Sequence, residues 1–484
     1  MPKSLASIVL SPSGHASLQS QLAATLRVMI QHGHLGAGES VPPSRQLAAD
    51  LGVARNTVTL AYERLVDEGY LESRPRSGLF VCESLGSMPA PKTARDGAAR
   101  RSQLERVAPA RPFRESRPDV RLFPLALWNR ARARALKTHR SALLQYQSEL
   151  PLGLPVLRRA IASYVRDRRG VSCDWQQIAI TSGSQHALYM LAHLLLRPGA
   201  TALMEDPGYR GARRALMSVG AAIQPVAVDA QGLVPPTIQG KKAALIYTTP
   251  SRQYPTGACL PVTRRTELIR WAARSGTWII EDDYDSEFRY RLPPLPSLHS
   301  LDPGGRVIYV GTMSKTLFPS LRLGYVVLPW SLLGPFGELR STMDDHGSLM
   351  DQATTAEFLE TGTYYSHIRR CRREYGARLD TFLTAVSETG LPLDFPHADG
   401  GINISGFLPE SSDDTAWVTA LTNVDVDTRA HSALALRRVR PGLIFGFTAF
   451  DYTEIRAAVR RMGRATSPRP PTSKSPARDR VHGA

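Results

Sequence analysis

Between about residue 154 and residue 312, short apolar runs alternate with segments whose apolar residues recur at helical spacing. The runs, in order, are IAIT, ATALME, AALIYTTP, TWIIEDD and RVIYVGT. Short apolar runs separated by helical patterns are typical of parallel strands joined by crossover helices. The sequence therefore predicts an α/β domain around a mostly parallel sheet, and we expect its ligands to bind beyond the carboxyl ends of the strands.

Polar residues follow the first and fourth of these runs. Ser184 and Gln185 open a helix after IAIT, and the free N–H groups of a helix start suit a phosphate. Acidic residues 281–283 crowd the exit of TWII and could form a metal site or be solvated loop carboxylates. Taken alone, the run favours the solvated interpretation. Because neighbouring strand residues face opposite sides, Asp282 and Tyr284 share one side.

The fifth run is followed by Lys315, with Thr312 and Ser314 beside it. Most lysines are surface cations, and that is the simple interpretation. A lysine at a strand exit, near an acid and an anion-binding helix start, is however what pyridoxal phosphate requires for a Schiff base. On this hypothesis Lys315 carries the cofactor and Asp282 keeps its pyridine nitrogen protonated.

The remaining cofactor contacts follow from the same hypothesis. Tyr284 would hydrogen-bond the phenolate oxygen, and Tyr209 in EDPGY would stack on the ring. The phosphate would be held by hydroxyls, a guanidinium and helix-start amides, from Thr312, Ser314, Arg322, Ser184 and Gln185.

The first eighty residues predict three short helices and a hairpin. Apolar spacing gives a helix over 17–31, Ser44 would cap a second helix that Gly52 ends, and the third carries a buried stripe. That stripe consists of Val58, Ala61, Tyr62, Leu65 and Val66. Two β-prone runs then flank a basic tip at 74–78. Together these elements predict an α+β winged helix-turn-helix.

In such a module the third helix enters the major groove with its first turn facing the bases. Arg55 could pair with a guanine, and the wing would approach the DNA backbone. The candidate DNA-binding residues are Ser44, Arg45, Arg55, Asn56, Thr57, Arg76 and Gly78. The alternative is a protein-interaction module with solvated arginines, since residues 16–83 carry six Arg against seven acids. Asp67, Glu68 and Glu72, however, lie at the far end of the third helix from Arg55.

The chain has a net charge of +17 at pH 7, which favours a polyanionic partner. Residues 86–117 and 464–484 are basic and rich in Pro, Ala, Ser and Arg. Their composition predicts a disordered linker and a disordered tail, with plain solvation as the preferred account of their charge. The predicted domains are therefore 1–85 and 118–463.

The sequence argues against two classes of protein, those that span a membrane and those that are secreted. No apolar stretch approaches the roughly 20 residues of a membrane helix, and no secretory leader is evident. Four cysteines about 90 residues apart, without CxxC spacing, predict a cytoplasmic protein with no disulfide framework and no metal site.

Two long motif sets resemble known families. PSRQLAADLGVARNTVTLAYERLVDEGYLESRPRSGLFV resembles the DNA-binding domain of GntR-type bacterial regulators, and this resemblance assigns DNA contacts to Arg45 and Arg55. From about residue 119 to 462, SGSQHAL, EDPGY, YTTPSRQYPTG, EDDYDSEFRY and GTMSKTLFPSLRLGY resemble fold-type I aminotransferases. The whole chain resembles the MocR/GabR-type regulators. That resemblance implies pyridoxal phosphate on Lys315, a smaller C-terminal subdomain and a homodimer bound to a two-part operator.

The chain also departs from these families. The run 253–257 lacks the aminotransferase asparagine, and Arg252 stands where the regulators commonly have His. Ile444 stands where an aminotransferase has its carboxylate-binding arginine, with Arg440 four residues early.

The leading hypothesis is a regulator that senses pyridoxal phosphate or an amine or amino acid effector. One alternative is an active aminotransferase that carries a DNA-binding head. The other is a cofactor-free dimerisation scaffold.

Overall fold

The computed structural model describes residues 5, 8–11, 16–84, 111–235, 243–291 and 295–466. The chain divides into two compact units, residues 1–108 and 109–484. Most of the expected linker, up to residue 110, and residues 467–484 of the expected tail lie outside the described residues. The expectation that the tail begins at residue 464 is wrong for residues 464–466, which end the helix Tyr452–Thr466.

The first unit is a winged helix-turn-helix. Helices α1 (Leu18–Gln31), α2 (Ser44–Leu51) and α3 (Arg55–Asp67) precede an antiparallel hairpin of β1 (Leu71–Arg74) and β2 (Gly78–Val81). All five elements contribute buried residues to one core, among them Leu22, Leu26, Leu47, Val58, Tyr62, Leu65, Leu71 and Val81. The predicted α+β module is therefore confirmed.

The start of α2 differs from the prediction. Ser44 is the first helical residue, and the N-cap is Pro43, which has no side chain that can cap. The Pro43 carbonyl accepts the first helical hydrogen bonds, from the N–H groups of Gln46 and Leu47. The expected Ser44 cap is wrong because the rigid proline already directs the chain into the helix. Ser44 Oγ instead accepts a 3.4 Å hydrogen bond from Arg55 Nε.

An eight-stranded sheet forms the centre of the second unit. Its strands are β3 (Ile178–Thr181), β4 (Thr201–Asp206), β5 (Ala222–Asp229), β6 (Gly232–Leu233), β7 (Leu245–Thr248), β8 (Trp278–Asp283), β9 (Val307–Thr312) and β10 (Gly324–Val327). Their order is β3-β10-β9-β8-β7-β4-β5-β6. The sheet is parallel from β9 to β5, while β10 and β6 run antiparallel to their neighbours. The five apolar runs are β3, β4, β7, β8 and β9, which confirms the predicted mostly parallel α/β fold.

Helices and a second sheet complete this unit. The helices are α4 (Leu125–Leu143), α5 (Pro155–Arg169), α6 (Ser184–Leu195), α7 (Arg210–Met217), α8 (Val262–Ser275), α9 (Trp330–Met343), α10 (Leu349–Glu360), α11 (Thr363–Thr389), α12 (Asp414–Thr422) and α13 (Tyr452–Thr466). Strands β11 (Asn403–Phe407), β13 (Gly442–Gly446) and β12 (Arg429–Ala430) form, in that order, an antiparallel sheet. This three-stranded sheet lies in the C-terminal part of the second unit. Among the described helices, none combines the length and the apolarity needed to cross a membrane.

Residues 111–117, which we call the strap, pack against the rest of the second unit. Phe113 is fully buried, with edge contacts to Phe382, Phe445 and Phe450. Its carbonyl accepts a 2.8 Å hydrogen bond from the Gly446 N–H group. The prediction that the disordered linker extends to residue 117 is therefore wrong for the strap. The composition of residues 86–117 predicted disorder, but the one aromatic residue of this stretch, Phe113, anchors the strap.

We expect Phe113→Ala to destabilise the second unit by about 3–5 kcal/mol, because it leaves a cavity among the three aromatic rings. Urea unfolding of the full chain, monitored on the second unit, measures this change. Val120→Ala is the control, since Val120 is exposed and should change stability by less than about 0.5 kcal/mol. Equal effects of the two substitutions would mean that the strap is not packed.

Candidate functional site

A cavity of about 540 Å³ lies in the second unit and receives residues from the carboxyl ends of β8 and β9. All nine side chains assigned to the cofactor line it: Ser184, Gln185, Tyr209, Asp282, Tyr284, Thr312, Ser314, Lys315 and Arg322. The cavity is also lined by residues that the sequence analysis did not select: Arg114, Glu115, Ser116, Tyr247, Thr249, Tyr254, Asp427, Thr428 and Arg429. The structure thus brings together one polar, partly aromatic site.

Asp282 is the buried acid of this cavity. The Tyr247 hydroxyl donates a 2.7 Å hydrogen bond to Asp282 Oδ2, whereas Oδ1 is buried without a hydrogen-bond partner among the described residues. Burial raises the pKa of Asp282 to about 7, against the opposing effect of the Tyr247 hydrogen bond. The free Oδ1 atom can therefore accept or share a proton with a group that enters the cavity.

The neighbouring acids are structural. Glu281 Oε1 accepts a 2.9 Å hydrogen bond from the Leu298 N–H group, and Asp283 forms a 2.6 Å salt bridge with Arg169. Asp285 is also buried. The interpretation as solvated loop carboxylates is wrong, because β8 ends inside the unit and each acid lies beside protein donors or cations. Among the described residues, no group of three His, Cys, Asp or Glu side chains could hold a metal ion.

Lys315 lies just beyond β9 and points its amine into the same site. Its Nζ atom donates a 2.9 Å hydrogen bond to the Ser116 carbonyl of the strap. Burial lowers the pKa of Lys315, while the carboxylates of Asp285, Glu115 and Asp282 oppose that change. A lysine with a lowered pKa has more of its amine in the neutral, nucleophilic form.

Hydroxyls, a guanidinium and a helix start converge on another side of the cavity. Ser184 is the first residue of α6, preceded by Gly183 with a φ of +92°. A Cβ atom at Gly183 would lie 3.1 Å from Arg322 Nη2, so glycine allows the guanidinium to approach the helix start. Thr312 Oγ1 accepts a 3.2 Å hydrogen bond from the Ser314 N–H group, which places both hydroxyl residues in one turn. This set can bind a phosphate.

Three tyrosines form the aromatic wall. Tyr254 contacts Tyr209 and Tyr284 edge to face, with ring centroids 5.8 Å and 6.1 Å apart. Ile444 is buried and packs in the same apolar cluster. Position 444 therefore holds an apolar side chain in the cluster of these tyrosines, and Tyr254 occupies part of the run in which the aminotransferase asparagine is missing.

Arg252 is directed elsewhere. It is buried, lies 3.8 Å from Asp285 and donates a 2.9 Å hydrogen bond to the Asn403 carbonyl. It therefore joins the segment just beyond β8 to β11 of the small sheet and does not line the cavity.

The strap residues were missed by the sequence analysis. Glu115 Oε2 accepts a 2.6 Å hydrogen bond from the Tyr254 hydroxyl, and Glu115 Oε1 lies 2.7 Å from Arg429 Nε. Phe113, an aromatic residue alone in a polar stretch, is the signal that could have located this segment.

The candidate DNA-binding residues lie at the starts of α2 and α3 and at the wing tip. All seven residues are exposed or partly exposed: Ser44, Arg45, Arg55, Asn56, Thr57, Arg76 and Gly78. Gly78 has a φ of +103°, which favours glycine in the wing.

Ion pairs occupy the C-terminal end of α3 and the hairpin. Glu68 pairs with Arg27 and Arg64, and Arg74 pairs with Glu72 and Glu83. In the described part of the chain, Arg45, Arg55 and Arg76 take part in no such pair, so three cations on this face remain available for phosphates or bases.

We expect Asp282→Asn to change the pH dependence of stability. A folded-state pKa near 7 means that folded Asp282 retains a proton which the unfolded chain loses near pH 4. The unfolding free energy of the wild type should therefore fall as pH rises through that window, by up to about 1.4 kcal/mol per pH unit for this group. Asparagine removes that contribution, so the variant should gain stability relative to wild type between pH 4 and 7.

Urea titrations without added cofactor measure the difference. Tyr247→Phe is the matched variant. Loss of its hydrogen bond should raise the pKa of Asp282 further, so the pH range over which stability falls should extend to higher pH. If the difference in unfolding free energy between wild type and Asp282→Asn does not vary with pH, the raised pKa of Asp282 is contradicted.

Comparisons with known proteins agree with this two-part architecture. Residues 18–81 match the family model of bacterial regulatory proteins, gntR family, and residues 128–411 match that of aminotransferase class I and II. The chain is 37% identical to the probable rhizopine catabolism regulatory protein MocR of Rhizobium meliloti, over 85% of this chain and 86% of that protein. It is 36% identical to the HTH-type transcriptional regulator TauR of Rhodobacter capsulatus, over 91% and 92% of the two chains.

Solved aminotransferase structures share the fold of the second unit. Kynurenine aminotransferase from Pyrococcus horikoshii superposes with a TM-score of 0.69 at 25% identity, over 80% of this chain and 96% of that one. The multiple substrate aminotransferase from Thermococcus profundus gives 0.69 at 26%, over 79% and 96%. The chain belongs to the MocR/GabR-type transcriptional regulators, which join a GntR-type winged helix-turn-helix to a domain with the fold-type I aminotransferase fold.

Proposed function

We propose that this transcriptional regulator holds pyridoxal phosphate on Lys315 and that ligands in the cavity change how its head binds DNA. The observation that carries the proposal is Asp282 Oδ1, which is a buried acceptor with no partner in the described part of the chain and belongs to a residue that lines the same cavity as Lys315. A protonated ring nitrogen is the donor that such an atom needs. A relative that is 29% identical, from Corynebacterium glutamicum, is an HTH-type pyridoxine biosynthesis transcriptional regulator, which supports a link to this vitamin.

The residues present fit the cofactor. Lys315 would attach its amine to the aldehyde carbon, and Asp282 would hold a proton on the ring nitrogen. Tyr284 would donate to the phenolate oxygen and Tyr209 would cover the ring. The phosphate would be held by Ser184, Gln185, Thr312, Ser314 and Arg322.

When bound, pyridoxal phosphate supplies an electrophilic carbon that reacts reversibly with primary amines. The protein supplies a Lys315 amine that burial keeps partly neutral and an Asp282 whose raised pKa lets it share a proton. The cavity can thus recognise both the cofactor and an amine or amino acid effector. Differential binding of these ligands to two arrangements of the protein would shift its DNA affinity.

A homodimer would present two heads to a two-part operator, as a fold-type I domain joined to a winged helix-turn-helix implies. We propose that the regulator acts in the cytoplasm, where its DNA lies. Ser44, Arg45, Arg55, Asn56, Thr57, Arg76 and Gly78 would form the DNA surface of each head.

An active aminotransferase with a DNA-binding head is the competing function. Lys315 and Asp282 keep that chemistry open, but Ile444 gives the cavity no cation at the position of the carboxylate-binding arginine. Sustained turnover of any amino acid with a 2-oxo acid would favour this competitor.

A gel-shift titration on the upstream DNA of the gene tests the proposed sensor. We expect pyridoxal phosphate, alone or with an effector amine, to change the affinity or footprint of wild-type protein. Lys315→Ala should abolish this response and the absorbance of lysine-bound cofactor, while the head still binds DNA. If neither the cofactor nor any amine changes the DNA affinity or the footprint of the wild-type protein, the proposal is wrong.

We expect Arg55→Ala to weaken operator binding by about 1–3 kcal/mol and to relax base preference, because a bidentate guanine contact would be lost. Arg64→Ala is the matched control, since Arg64 lies on the same helix but pairs with Glu68. Binding to sequence variants of the operator, measured at fixed salt, separates the two. Equal losses for both variants would contradict a reading role for Arg55.

A further inference from the structure

The cavity contains an internal carboxylate held by two donors. The carboxylate of Glu115 receives the Tyr254 hydroxyl at 2.6 Å and the Arg429 guanidinium at 2.7 Å. Glu115 belongs to the strap, whereas Arg429 belongs to β12 and Tyr254 to the loop after β7. All three residues line the cavity that contains Lys315. The arrangement therefore shows which chemical group Arg429 and Tyr254 can bind together.

Arg429 also stands in a particular register. It pairs directly with Ile444 across β12 and β13. Side chains of directly paired residues project to the same face of a sheet, with Cβ atoms about 5 Å apart. The cation that position 444 lacks is thus present on the neighbouring strand, one cross-strand step away. Arg429 is on the edge strand and its side chain is 43% exposed, so it has room to change partner.

Arg440, the other arginine near this position in sequence, is occupied elsewhere. Its guanidinium lies 4.8 Å from the Phe407 ring centroid and 3.5 Å from Asp394. It lines a separate cavity with Arg437 and Arg438, and not the one that contains Lys315.

We propose that Arg429 and Tyr254 form the recognition site for the carboxylate of an amino acid effector, and that Glu115 occupies this site until the effector replaces it. The planar guanidinium fork matches a carboxylate, and the tyrosine hydroxyl adds a second donor. The effector amine would lie toward Lys315, since both groups border one cavity. This inference rests on the proposed function and specifies its effector class as amines that carry a carboxylate.

Replacement of Glu115 has a consequence for the strap. The Ser116 carbonyl next to Glu115 accepts the Lys315 hydrogen bond, and the Ser116 N–H group donates to Asn403 Oδ1 at 2.6 Å. An effector that reaches both Arg429 and Lys315 would compete for two strap contacts at once. Of the described residues of the second unit, the strap is nearest in sequence to the DNA-binding unit. Ligand binding would therefore act on the start of the second unit.

Calorimetry on the cofactor-loaded full chain tests the inference. The probes are glycine, β-alanine and 4-aminobutyrate, each compared with its decarboxylated counterpart: methylamine, ethylamine and propylamine. For at least one pair we expect the amino acid to bind about tenfold more tightly. Arg429→Gln should reduce that ratio to about one, and Arg429→Lys should retain part of it. Glu115→Gln should increase the affinity for the amino acid several-fold, because an uncharged amide competes less well for Arg429.

Arg440→Gln is the control, since it removes the same charge outside the cavity and should keep the ratio within about twofold. Equal affinities within every wild-type pair, or an equal loss in Arg440→Gln and Arg429→Gln, would overturn the inference. Failure of the wild-type chain to develop cofactor absorbance would instead overturn the proposed function on which it rests.

Discussion

The site depends on the burial of four carboxylates at and just beyond the end of β8. Removing a carboxylate from water is costly unless cations or donors replace the lost hydration. Glu281 has backbone N–H groups, Asp283 has Arg169, and Asp285 lies beside Arg252. Asp282 is stabilised on one oxygen by Tyr247, and its other oxygen has no hydrogen-bond partner among the described residues. Of the four acids only Asp282 lines the cavity, so a ligand in the cavity can supply the donor that its Oδ1 atom lacks.

The strap connects packing with chemistry in the second unit. Phe113 fixes it by apolar burial, and three residues later the Ser116 carbonyl receives the Lys315 amine. Glu115 lies between them and is held by Tyr254 and Arg429. The strap therefore joins an apolar anchor to the polar contacts with Lys315, Tyr254 and Arg429 within one short segment.

The sequence predicted the elements whose signals are local and periodic. The five apolar runs identified five strands, and the buried stripe of α3 identified the head. The nine proposed cofactor residues lie together because parallel strands end at one edge of a sheet. Local patterns could not predict the strap, whose single aromatic anchor is stabilised by rings 269 to 337 residues away in sequence. They also could not predict the burial of Asp283 and Asp285, since their cationic partners Arg169 and Arg252 come from distant segments.

The pairing of Ile444 with Arg429 distinguishes the proposed carboxylate site from a site whose arginine stands at position 444. A cation fixed in a strand next to the reacting centre orients a substrate for repeated reaction, and orientation is a large part of catalysis. An arginine on an edge strand that already holds a carboxylate of its own protein must first exchange partners. That exchange weakens ligand binding, but it couples binding to a change in the protein, since the displaced Glu115 belongs to the strap. A sensor needs this differential interaction, because a ligand shifts an equilibrium between two states only by its difference in affinity for them.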